Sequence, residues 1–108
     1  MTKRISYSTY KTIGTMQFVN EVRGSYDKET KTIEIKIDDN VWNLMIQATA
    51  DTETMKAIYR EKYAGNAAAL AKVEAMTDEQ IEYAKQMNVQ GLKQMGYTMD
   101  KVTALVNA

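Results

Sequence analysis

The amino-acid sequence predicts an α+β domain in which an antiparallel β-meander of three or four strands, within residues 3–37, is covered by a C-terminal group of three or four helices. Three observations predict this. The string TIEIKID places Ile33, Ile35 and Ile37 on one face and Thr32, Glu34 and Lys36 on the other, the two-residue period of a half-buried strand. Near residue 40 the chain changes character once, from β-branched and aromatic residues to Ala, Glu, Lys, Gln and Met. Beyond that point apolar residues recur at intervals of three and four, as on one face of a helix. The 108 residues form one domain by the usual size range, β-rich over 1–38 and helical over 39–108.

Taken in order, residues 3–9, with Ile5 and Tyr7, read as a first strand ending before Gly14. The stretch MQFVNEVRGSYD alternates as well, with Met16, Phe18, Val22 and Tyr26 on one face. Joining it to residues 32–38 through KETK sets Tyr26 opposite Ile33 and Val22 opposite Ile37. Glu34 then lies diagonal to Arg23 and offsets the opposition of Arg23 and Lys36. VWNLMIQATA fits two conformations: a strand with Trp42, Leu44, Ile46 and Ala48 on one side, or a helix with Asp39 as its N-cap. The helix is favoured, because its stripe continues through Val41, Met45, Ala48, Thr52, Met55 and Tyr59. A further helix ends at Gly65, a natural C-terminal cap, and AAALAKVEAM forms a short Ala-rich one. Thr77 and Gln80 then spell a capping box opening a helix that bears Ile81, Ala84 and Met87.

Composition excludes several chemistries. Without Cys or His there is no disulfide, no thiolate nucleophile and no imidazole base. No apolar run reaches the length of a membrane span, and MTKRISYSTYK lacks the apolar core of a signal peptide, so the cytoplasm is the expected location. The formal charge is zero. Residues 1–37 carry seven basic and four acidic side chains, and residues 38–108 carry seven and ten, too mild a split to imply nucleic acid by itself. Abundant Lys, Ile, Asn and Met is a composition common among small proteins of AT-rich bacteria and their phages.

The most specific string is VQGLKQMGYTMDKVTALV, a helix, a Met-Gly-Tyr corner and a second helix. Leu92, Met95, Gly96, Tyr97, Val102 and Leu105 resemble the first turn of the ubiquitin-associated domain, whose Met-Gly-Phe/Tyr loop touches ubiquitin. LKQMGYTMDKVTALV is also similar to a corner of the mercury-resistance-type winged-helix activators, where a Leu-Gly-Phe-Ser-Leu-Glu-Glu-Ile string turns one helix into the next. Each likeness covers residues 92–106; the first family's third helix and the second's basic recognition helix have no counterpart here. One string shared by two unrelated families points to local mechanics: a left-handed Gly96 closing one helix, Tyr97 folding back on Leu92, and Thr98 capping the next.

Asp27 with Glu34, Ile35 and Lys36 resembles the Asp…Glu-x-Lys pattern of a large nuclease superfamily, which implies paired carboxylates around a divalent metal. A solvated strand face and a turn explain the same residues more simply. No clustered acid–base pair and no Gly-rich phosphate loop is present, so neither catalysis nor a cofactor or metal is expected. The six Met of the helical half serve either a core or an adaptable binding surface, with core the simpler use.

The expected function is that of a small non-enzymatic protein-binding protein, a regulator, inhibitor or assembly factor of phage or mobile-element type. The last helix shows an apolar stripe with little left to cover it, so a homodimer is expected. Met95, Tyr97, Met99, Val102, Leu105 and Val106 are the expected partner-binding residues. The alternative is a nucleic-acid-associated regulator using Lys3, Arg4, Tyr7, Tyr10 and Lys11, since exposed aromatics with basic neighbours form single-strand platforms.

Overall fold

The computed structural model describes residues 1–14, 16 and 19–108. The order is β1 (Thr2–Ser6), α1 (Tyr7–Ile13), β2 (Val19–Glu21), β3 (Thr32–Ile37), α2 (Asp39–Thr49), α3 (Thr52–Lys62), α4 (Ala67–Glu74), α5 (Asp78–Gln94) and α6 (Met99–Val106). The α+β class follows as the sequence implies, a three-stranded antiparallel sheet with helices after it. Residues 41–49 are helical. The expectation for Phe18 lies outside the described residues.

The strands are not in meander order. β3 lies in the centre with β1 and β2 on either side, both antiparallel to it. β1 and β2 are therefore parallel to each other, and parallel strands need a crossover rather than a hairpin. Part of that crossover is α1, where a strand is predicted. Ser6 turns the chain by accepting the Thr9 amide at 3.1 Å, and Gly14, at φ +66°, closes the helix. Tyr, Thr and Ile give YSTYKTI the propensity of a strand. Burial overrides it: Ile13, fully enclosed, is anchored in the core.

The β2–β3 hairpin keeps the expected register only beside its turn, where Asp27 bridges to Thr32. Farther along, Val19 and not Val22 faces Ile37. The three-residue slip is absorbed by a bulge. Gly24 takes φ +78°, and the Ser25 hydroxyl bonds both the N–H and the C=O of Glu34 at 3.1 Å, the C=O accepting the Val22 N–H at 2.9 Å as well. Glu34 consequently pairs with Arg4, at 3.5 Å, rather than with Arg23.

One sheet face carries the core. Ile5, Ile33, Ile35, Ile37 and Val19 are buried beneath Ile13, α2 (Val41, Met45, Ala48), the end of α5 (Val89, Leu92) and α6 (Val102, Leu105). Asp38, one residue before the expected Asp39, caps α2 by accepting the Asn40 and Val41 amides, while Asp39 pairs with the Met1 amino group. The capping box of Thr77 and Gln80 is formed, with both reciprocal bonds in place. At the Met-Gly-Tyr corner, Gly96 has φ +93°, its N–H donates to Lys93, and the Tyr97 N–H reaches back to Leu92, both at 3.0 Å. These two bonds define a Schellman cap, completed by burial of Leu92 and Tyr97 in the same cluster. Thr98 occupies the N-cap of α6 without a side-chain bond.

The helices do not all lie over the sheet. α3 and α4 pack on each other, and α3 on α5, around a separate small core of Ala50, Met55 and Ile81. α5 is the spine: Ile81 near its start belongs to the small core, and Val89 and Leu92 to the large one. The result is elongated, 50 × 27 × 18 Å, with a radius of gyration of 16.1 Å against about 13 Å for a compact chain of this length. Among the described residues no helix is long and apolar enough to cross a membrane.

Candidate functional site

The six residues of the expected partner-binding stripe divide. Tyr97, Val102 and Leu105 are buried, and Met99 and Val106 are half-buried against the same cluster, between α1, α2 and the sheet. Only Met95 is exposed, at 39%. The stripe is not unspent: the missed helix α1 packs over it. The basis for a homodimer through α6 is thereby removed.

The alternative set also divides. Lys3 is half-buried, and its Nζ donates to the Leu105 and Val106 carbonyls at 3.0 and 3.3 Å, closing the end of α6, while lying 5.0 Å from the Trp42 ring centre. Burial holds its pKa below the ordinary lysine value. Arg4 is committed to Glu34, the Ser25 carbonyl and the Thr32 hydroxyl. Tyr10 packs on the core and its hydroxyl donates to Glu21 at 3.4 Å; burial first, then the Glu21 carboxylate, raises its pKa.

Tyr7 and Lys11 remain, and two residues that sequence reasoning missed join them. Tyr26 meets Tyr7 edge to face at 5.3 Å, and Lys31 stands beside them. The hairpin arranges this: the Asp27 carboxylate accepts the Glu29 and Thr30 amides, and the Lys31 carbonyl accepts the Tyr7 N–H at 2.9 Å. The signal that could have found the pair is the bulge-forming Gly24-Ser25 before Tyr26.

The third region is the α3–α4 arm. Its two helices turn at Gly65, φ +84°, and are clasped by Arg60, whose guanidinium forks onto Glu74 at 2.5 and 3.3 Å. An open hollow of about 450 Å³ lies along it, lined by Tyr63, Ala68, Ala69, Lys72, Val73 and Met76 among others. Beyond the arm, Tyr83 and Met87 project from α5, 69% and 56% exposed. They stand four residues apart, so they share one face.

Two carboxylates hold the arm, and both titrate low. The Thr54 hydroxyl and amide keep Asp51, the N-cap of α3, below its ordinary value, and Arg60 does the same for Glu74. Depressed folded-state values contribute stability that is fully present above the ordinary carboxylate range and lost as pH falls below it, through the lower folded-state values. Asp27 in the β2–β3 turn is held low too, by the Thr30 and Glu29 amides, so acid weakens that turn as well; because the arm rests on the smaller core, it is expected to open before β3 on acidification. Hydrogen exchange at pH 6 and pH 3 checks this: α3 and α4 amides should lose protection while β3 amides keep it, and equal losses would contradict it.

Asp27 and Glu34 do not assemble a metal centre. The first is folded onto its own turn and the second is paired with Arg4. Among the described residues no group of three acidic side chains is placed to hold a metal ion. No protein-family model matches the chain, and comparison with the curated proteins and with solved structures finds no match.

Proposed function

We propose that this protein is a non-catalytic binding protein that presents the α3–α4 arm to another protein, as a regulator, inhibitor or assembly factor in the cytoplasm. The observation that carries the reading is the projection of the arm away from the sheet on a small separate core, Ala50, Met55 and Ile81 with Ile58, Tyr59 and Met76 partly buried against them and Val73 buried in α4. Ordering a residue costs about 1–2 kcal/mol of backbone entropy, and buried apolar area is the main return. An arm with so thin a core gains most when a second surface covers it. Its hollow combines an aromatic ring, methyl groups and a thioether, the adaptable lining suited to a partner's side chains.

The test compares what the wild-type protein and two variants retain from a lysate, followed by binding of the retained protein in purified form. Ala68→Arg blocks the hollow from an exposed helix position, and Tyr83→Ala trims the neighbouring face. A partner held by the wild type and lost by Ala68→Arg, at unchanged melting temperature, supports the reading. Equal retention by all three proteins, or no retained partner, overturns it.

A further inference from the structure

The cleft between α1 and the β2–β3 turn is independent of the arm. Ser6, Tyr7, Ser8, Lys11, Tyr26, Thr30 and Lys31 enclose about 340 Å³ there. Three features set it apart from an ordinary polar surface. First, Tyr7 and Tyr26 are 39% and 43% exposed although they touch each other; Tyr7 also stacks on Tyr10 at 6.0 Å and has Lys11 Nζ 5.6 Å from its ring centre, so the ring area left to solvent lies next to a lysine. Second, the charged side chains lining the cleft are both lysines, and its other polar groups are hydroxyls. Two nearby carboxylates are turned elsewhere, Asp27 onto the turn amides and Glu21 towards Tyr10 on the sheet side of the ring pair, and Glu29 of the same turn is exposed and not among the lining residues. Third, Lys31 has φ +55°, the non-glycine positive φ among the described residues. Glycine would occupy that position without strain, so the lysine is held at a cost to the fold.

Aromatic faces beside lysines suit a ligand with flat π-surfaces joined by negative charges. We propose that this cleft binds single-stranded nucleic acid, with a base stacked on the Tyr7–Tyr26 pair and the adjoining phosphates on Lys11 and Lys31. A duplex is refused, because its base faces are already stacked. A phosphorylated peptide is disfavoured, since phosphate recognition in peptides relies on the arginine fork and this cleft has none. With zero net charge the protein adds no long-range attraction, so the contact is local and short.

Fluorescence anisotropy with a labelled single strand of about 12 nucleotides, in low salt, tests the proposal. Two phosphate contacts give a slope of log K against log salt near about −1.4, falling to about −0.7 in Lys11→Gln. Tyr7→Ala should weaken binding about tenfold or more, and Tyr7→Phe should restore it, because stacking needs the ring and not the hydroxyl. Lys31→Gly separates binding from folding: affinity should fall while the melting temperature stays level or rises. Absence of binding at low salt overturns the proposal. So does equal binding of a duplex, or affinity unchanged by both Tyr7→Ala and Lys31→Gly.

Discussion

Leu105→Asp is expected to leave the chain largely unfolded at 25 °C. Leu105 is fully enclosed in the main core, on the helix that packs against both α1 and α2. Losing a buried leucine side chain costs about 2–5 kcal/mol on its own. Placing an unpaired carboxylate in the same space adds a desolvation penalty, whether it is met by burying the charge or by protonating it. A small domain has only about 5–15 kcal/mol in total. Far-UV circular dichroism with a urea titration measures the outcome. Met95→Asp is the comparison, because Met95 belongs to the same apolar string but is exposed; its cost should stay under about 1 kcal/mol. A folded Leu105→Asp with half the sedimenting mass of the wild type would reinstate an α6 interface and contradict the packing described above.

Gly96→Val is expected to destabilise by about 2 kcal/mol, the penalty of forcing a β-branched residue to positive φ. No atom lies within 4 Å of the position its Cβ would take, so the effect is one of backbone alone. Gly91→Ala, in the last turn of α5, should move the other way, gaining about 0.5–1 kcal/mol. Its Cβ also meets nothing within 4 Å, and its φ is not in the positive range. Two glycines five residues apart, one inside α5 and one just past its end, thus give opposite signs. Denaturant midpoints read the difference directly, and equal shifts would mean that Gly96 does not hold the cap.

What could be read without coordinates was what local chemistry decides. The Ile33–Ile35–Ile37 alternation, the Thr77–Gln80 box and the left-handed Gly96 each depend on neighbours a few residues away. What could not be read depends on distant partners. α1 is written in strand-forming residues and becomes a helix because Ile13 closes the core over α6. That helix has two consequences the local pattern does not show: it carries the chain across from β1 so that β3 and not β2 lies beside β1, and it covers the α6 stripe. The hairpin register failed for a similar reason. An alternating pattern specifies which residues share a face, but the bulge at Gly24 and Ser25 shifts the pairs beyond it by three residues, an odd number, so that Val19 and not Val22 turns inward opposite Ile37. For the same reason Tyr26, in phase with the inward residues of the alternating stretch, stands outside the core and meets Tyr7.

The contact of Lys3 with the last turn of α6 has a consequence for synthesis. The first strand and the final helix are neighbours, 102 residues apart along the chain and 3.0 Å apart in space. As the polypeptide leaves the ribosome, Ile5, Ile33, Ile35 and Ile37 emerge long before Val102 and Leu105, which cover them. The nascent sheet therefore waits with one greasy face open until α6 has been synthesised. Chains released early, by a stop before α6, should be sticky and quickly degraded rather than partly active.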